Sequence, residues 1–397
     1  MTLFESDGPD RSVKEPASGR RRGIVAAVVV VIGIGALVAV VLSAVLGGPG
    51  SESPSDPPDG RAAPFVEVEA PPPPLTGETA ELADRMQLSD EGRELFARTR
   101  PELVGADEIG EVCADAVHGQ SEDWSVRGCF LLTSAEGRPG RIYVYRPGDD
   151  RLVDAMVTVA AHELLHAVYA NMRADERAVV DELMPAAAAR VPADDPVHAQ
   201  ITASVGDEDD SRATEQFAYL GSQVALDGGF DPALEEIYAG VFTDRMALVE
   251  AHRRSLDAVD DVLAAVKSAW AHVAEQEQAN AQQRAQLDAD RAAYDEAVRA
   301  YDADRAEFDA TPAEERERWQ VTLTPKGGEP MTMSWEESLT YRHEELERYR
   351  VDIEERARSL ADAEAATAAL RAETEALRAD ALALLRAANP GASIPDE

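Results

Sequence analysis

Residues 141–172 read RIYVYRPGDDRLVDAMVTVAAHELLHAVYANM, and this stretch decides the fold. Arg141–Tyr145 is a β-rich run between Gly140 and Pro147-Gly148, which predicts a strand. Asp149 or Asp150 can cap a helix behind it. That helix is expected to run to about Met172, with Val153, Val157, Ala160, Leu164 and Val168 on one buried stripe.

The same helix carries His162-Glu163-Leu164-Leu165-His166. Histidines four apart stand above one another on one helix face, so both imidazoles can reach a single ion. Glu163 can lean toward the ion's open side and take a proton from water there. A metal site of this kind needs a third ligand and keeps one position open. His198 and Glu215 are the candidates. Glu215 is preferred because it projects from an apolar, helical segment, Ser211–Tyr219, with Ser211 as cap and Phe217 and Leu220 on its buried face. No Gly and His follow His166 at the metzincin spacing. His118, His252, His272 and His343 read as solvated side chains. Asp207–Asp210 reads as a solvated acidic loop, since it lacks the Gly and spaced ligands of a calcium loop.

Together His162, Glu163, His166 and Glu215 resemble the zincin metallopeptidases, in the gluzincin subgroup whose third ligand is a helix-borne Glu. The resemblance covers residues 141–225. It implies Zn²⁺ as cofactor, His162, His166 and Glu215 as ligands, Glu163 as catalytic base, and hydrolysis of protein or peptide substrates. It further implies that Arg141–Tyr145 lines the substrate cleft and pairs with extended peptide. Family members stabilise the oxyanion with a His or Tyr, for which Tyr169, Tyr219 and Tyr238 are candidates. The chain departs from the family's Asn-Glu-x-x-Ser-Asp pattern, with Thr214 before Glu215 and Ala218 after it.

Upstream, Ile24–Leu46 is an uncharged apolar run of 23 residues. As a helix it would be about 35 Å long, enough to cross a bilayer core. Arg20–Arg22 precede it, so the N-terminus is expected in the cytoplasm and the rest outside, as a single-pass protein of the cell membrane. Its length exceeds the apolar region of a cleaved signal peptide. A Pro-rich linker follows over 47–77. Cys113 and Cys129 are the only cysteines, and outside the membrane one pair predicts a disulfide. The formal net charge of −38 argues against nucleic-acid binding, because nothing would neutralise phosphates.

The C-terminal part is rich in Ala, Glu, Arg and Asp, and no Pro interrupts Arg245–Ala310. Val259, Val266, Val273, Asn280, Leu287, Tyr294, Tyr301 and Phe308 recur every seven residues, a coiled-coil seam. A capping box at Ser334–Glu337 opens a second helix with Leu339, Leu346, Ile353 and Leu360 at sevens, then Leu370, Leu377 and Leu384 in the partner position. Between the two helices, 319–323 and 331–333 suggest a small β-hairpin or, equally, an irregular loop within an insert over 311–333.

The expected fold class is therefore mainly α with a small β-sheet. A cytoplasmic tail (1–23), a transmembrane helix (24–46) and the linker precede a zincin-like α+β domain over 78–243. A long antiparallel helical hairpin or coiled coil follows over 244–390. The expected function is a membrane-anchored, extracytoplasmic zinc endopeptidase. The rivals are a cell-envelope coiled-coil interaction protein with a relic metal domain, and a metal-dependent hydrolase of another bond. Retention of Glu163 favours the enzyme. The arm can serve a protein partner or self-association.

Overall fold

The computed structural model describes residues 37–41, 72–114, 126–132, 140–205, 209–325 and 328–395. In chain order these form β1 (Leu37–Val41), α1 (Glu78–Arg85), α2 (Asp90–Arg98), β2 (Glu102–Val104), α3 (Ala106–Val112), β3 (Val126–Leu131) and β4 (Arg141–Tyr145). Then come α4 (Val153–Asn171), α5 (Ala174–Ala188), α6 (Val197–Val205), α7 (Arg212–Gln223) and α8 (Pro232–Val241). The remainder is α9 (Arg245–Ala310), α10 (Ala313–Arg316), β5 (Gln320–Leu323), β6 (Met331–Ser334) and α11 (Trp335–Ala388). The protein is thus mainly helical with little sheet. Its described residues divide into two compact units, one within 31–264 together with 379–395, the other within 265–378.

In the first unit a four-stranded mixed sheet runs in the order β1-β3-β4-β2. β3 and β4 are antiparallel, whereas β1 joins β3 and β2 joins β4 in parallel. Phe130, Ile142 and Val144 share one core with Val157, Ala160 and Leu164 of α4 and with Phe217 and Leu220 of α7. α4 is entered through a 3-10 turn, Asp150–Leu152, whose cap is Asp149 accepting from Arg151 N–H. Every residue from Val157 to Ala167 is buried, so α4 is covered all round and not along a single stripe. Asp150–Asn171 is the one helix among the described residues long and apolar enough to cross a membrane, and it is mostly buried inside the protein. Cys113 and Cys129 form the expected disulfide, tying α3 to β3.

Several sequence expectations are corrected. α1 and α2 are separated at Gln87, which takes a positive φ of 56°. Ser89 then caps α2 by accepting from Gly92 N–H, and its own N–H donates to Val241 O. β2 was too short to read from its pattern. The expected membrane helix over 24–46 lies outside the described residues except at Leu37–Val41, which are a strand. There the Val-rich run satisfies its backbone against β3, a use of β-branched residues that apolarity alone does not separate from a helix.

The roots of the two long helices belong to this unit. Leu152, Val259, Leu384, Leu385 and Ala388 form one buried cluster, and Arg151 pairs with Asp380 at 2.7 Å.

In the second unit α9 and α11 are antiparallel partners, as the heptads predict. Glu277 pairs with Arg371, Arg284 with Glu364, Asp290 with Arg356, and Asp304 with Arg342, so rising numbers on one helix meet falling numbers on the other. Leu287, Ile353, Leu360, Phe308 and Leu339 are buried seam residues. The seven-residue repeat of α11 also continues through buried Thr367 and Thr374, small residues that an apolar pattern passes over. β5 and β6 form an antiparallel hairpin, and Ser334 and Glu337 cap α11 reciprocally.

Candidate metal centre

α4 and α7 pack tightly enough that a Cβ on Gly221 would stand 2.7 Å from Leu165 Cδ1 and 2.4 Å from Tyr238 Cε1. This approach brings Glu215 to the His162–His166 face. The two imidazole Nε2 atoms are 2.9 Å apart; His162 Nε2 lies 3.6 Å from Glu215 Oε2 and His166 Nε2 lies 3.6 Å from Glu215 Oε1. Tetrahedral ligands at about 2.0–2.1 Å from a zinc ion would be about 3.4 Å from one another; one donor atom from each of the three residues lies within 4.8 Å of the others, within reach of a single ion. These three residues form a group that can hold a metal ion.

The polar accounting points the same way. His162, Glu163, His166 and Glu215 are all buried. Among the described residues, both oxygens of Glu215 and Nδ1 of His162 have no hydrogen-bond partner, and the Glu163 oxygens make no bond of normal geometry beyond the influence of the Phe130 N–H. Unpaired carboxylates in the interior cost several kcal/mol each unless they stay neutral or meet a cation. Burial pushes the Glu215 carboxyl well above its usual range, and Glu163 likewise, with the neighbouring Glu215 adding to it. Burial lowers His162 to about 3 and takes His166 well below the usual range, with His162 contributing. Both rings are therefore neutral at physiological pH, the form that ligates metals. His166 Nδ1 meets Thr214 Oγ1 at 2.9 Å, which orients the ring with Nε2 toward the group.

Glu163 is set by a glycine that sequence reasoning missed. A Cβ on Gly128 of β3 would fall 2.9 Å from Glu163 Oε1 and 2.6 Å from Val159 Cγ1, so only Gly lets the strand lie this close to α4. β3, and not β4, is thus the strand beside Glu163. β4 is paired on both edges, by β3 and β2, so the expected docking of a peptide along Arg141–Tyr145 has no free edge to use.

His198 does not join the group; its Nε2 lies 3.1 Å from Pro192 O. Of the three tyrosines, only Tyr219 borders the centre, with its ring edge-on to His162 at 4.3 Å. Tyr169 donates to Asp181 and Tyr238 to Phe217 O. Ser211 does not cap α7, because a 3-10 turn, Asp209–Ser211, already carries it into helical geometry. His252 is not solvated: it lines a cavity with His162, brought there by the root of α9. His118 lies outside the described residues.

Comparison with protein-family models, with curated proteins and with solved structures finds no match to this chain.

Proposed function

We propose that the protein is a zinc-dependent metallopeptidase of zincin type. The reading is carried by one observation: three ligand-competent side chains converge within reach of one ion beside the buried Glu163. Zn²⁺ held by His162, His166 and Glu215 would supply polarisation of a carbonyl and acidification of water. Glu163 takes the proton of the attacking water and passes it to the leaving amine nitrogen. Gly128 keeps β3 close to Glu163, and the Tyr219 ring stands edge-on to His162 with its hydroxyl 2.9 Å from Ser204 Oγ.

The Cys113–Cys129 disulfide supports an extracytoplasmic setting. Residues 24–46 are the proposed anchor. Extraction of native membranes with alkaline carbonate should leave the protein in the pellet; release into the supernatant would remove the anchor.

The near-complete burial of the centre favours a second reading, a non-catalytic envelope protein whose metal is structural and whose long helices bind a partner. Metal analysis of the full chain beside Glu163→Gln separates the two. Both forms should hold about one zinc, and only the parent should cleave an unfolded protein. Zinc in both with cleavage by neither would select the structural reading.

A further inference from the structure

The register of β3 against β1 slips by one residue: Leu37 pairs with Val126, but Val38 pairs with Gly128, leaving Arg127 without a partner. This is a β-bulge, which re-aims a side chain. Regular alternation would put Arg127 on the face of Cys129 and Leu131, beside α3. Instead it lines a narrow cavity with Thr158 and His162 of α4, Gln200 of α6, Gln223 of α7 and His252 of α9. The cavity is narrow, with enclosed room for only about one water-sized group behind its open mouth.

Arg127 is only 8% exposed and makes no ion pair among the described residues; its Nε has no hydrogen-bond partner. Gln200, 4% exposed, leaves its side-chain oxygen equally unmatched in the same cavity. Burial lowers the guanidinium to about 10, partly offset by Tyr219, so it remains a cation at neutral pH. His252, lowered to about 4 by burial and by Arg127 against the opposing effect of Asp195, adds no charge. A buried cation without a counter-charge among the described residues, facing a cavity shared with a metal ligand, is the form an anion subsite takes before its ligand arrives.

We infer that this cavity is a carboxylate-recognition subsite of the metal centre: Arg127 takes the carboxylate of a peptide substrate, and Gln200 accepts an N–H of the peptide unit beside it. The inference rests on the metallopeptidase reading for the identity of the ligand as a peptide. Because His162 lines the same cavity, the carboxylate sits close to the scissile bond. It is supplied by a free C-terminus or by an acidic side chain.

The test uses the full chain carrying Glu163→Gln, which keeps the ligands and stops turnover. Three probes are titrated by calorimetry: N-acetyl-trialanine, its C-terminal amide, and that amide with glutamate in the last position. Zinc content is measured on the same samples. A carboxylate probe should bind roughly tenfold or more tighter than the plain amide. Preference for the free acid identifies a chain terminus, and preference for the glutamyl amide identifies an acidic side chain. Adding Arg127→Met should abolish the preference with zinc retained, and Arg127→Lys should restore part of it. Arg127→Met should melt no lower than its parent, because it removes an unpaired buried charge. Equal binding of all three probes overturns the subsite, as does a preference that survives Arg127→Met, or a large fall in melting temperature. An Arg127-dependent preference in protein that holds no zinc would sink the metallopeptidase reading and leave the subsite standing.

Discussion

Thr214 Oγ1 lies 2.9 Å from His166 Nδ1, so the residue directly before Glu215 orients one of the two histidines that Glu215 faces. Adjacent residues of α7 thereby serve one centre in two ways. In sequence, Thr214 was only a departure from the gluzincin pattern. Thr214→Val keeps the shape and deletes the hydrogen bond. Zinc affinity should fall roughly 10–100-fold, measured by competition with a chelating dye. Unchanged affinity would mean the contact does not orient the ring.

The ligand assignment has its own contrast. Glu215→Ala removes one of three donors and should strip the zinc. Glu163→Gln should keep zinc and lose cleavage, because a proton acceptor does not set affinity. His198→Ala should change neither, since His198 faces the Pro192 carbonyl. Loss of zinc in His198→Ala with retention in Glu215→Ala would refute the arrangement.

Gly128→Ala places a methyl group where Glu163 Oε1 and Val159 Cγ1 already stand. Overpacking of this kind costs about 1–3 kcal/mol. Strand and helix must part, and Glu163 moves with them. Denaturant melts should show the loss of stability, and cleavage should fall further than zinc content does. Full activity would show that the carboxyl does not depend on the close approach of β3.

The disulfide closes a loop across a sequence separation of 16. Cys113→Ser should lower stability by about 2–5 kcal/mol, read from urea unfolding under oxidising conditions. A smaller change would mean that the buried cluster of Val104, Ile109 and Tyr145 holds α3 unaided.

What the sequence disclosed was local. His162, Glu163 and His166 share one helix face, so spacing alone assembles them. Glu215 could be preferred because a charge in an apolar helical segment needs a reason. Arg127, Gln200 and His252 stayed hidden because they come from a bulged strand and two separate helices, and only tertiary packing puts them around one cavity. The break between α1 and α2 was invisible for a similar cause. No Gly or Pro marks it; it follows from Leu88 and Ser89 pairing with residues 241–242, far along the chain. The heptads of the arm were legible, but where small Thr residues continue the repeat of α11 the apolar signal fades.

That fading leaves a testable point in the arm. Asn280 and Thr367 are both buried, and Asn280 Nδ2 donates to Thr367 Oγ1 at 2.8 Å. A buried polar pair in a seam fixes register, because slipping by a turn would leave both groups unpaired. Asn280→Cys with Thr367→Cys should therefore close a disulfide within one chain on mild oxidation. The product should run as a monomer on a non-reducing gel, with faster migration than the reduced form. Covalent dimers as the main product would show that these helices pair between chains, the rival arrangement for a coiled coil. Asn280→Leu with Thr367→Val should keep the arm helical and raise its melting temperature while loosening its register, since apolar replacement of both partners leaves nothing unsatisfied. A lower melting temperature in that double variant would mean the pair contributes more than register.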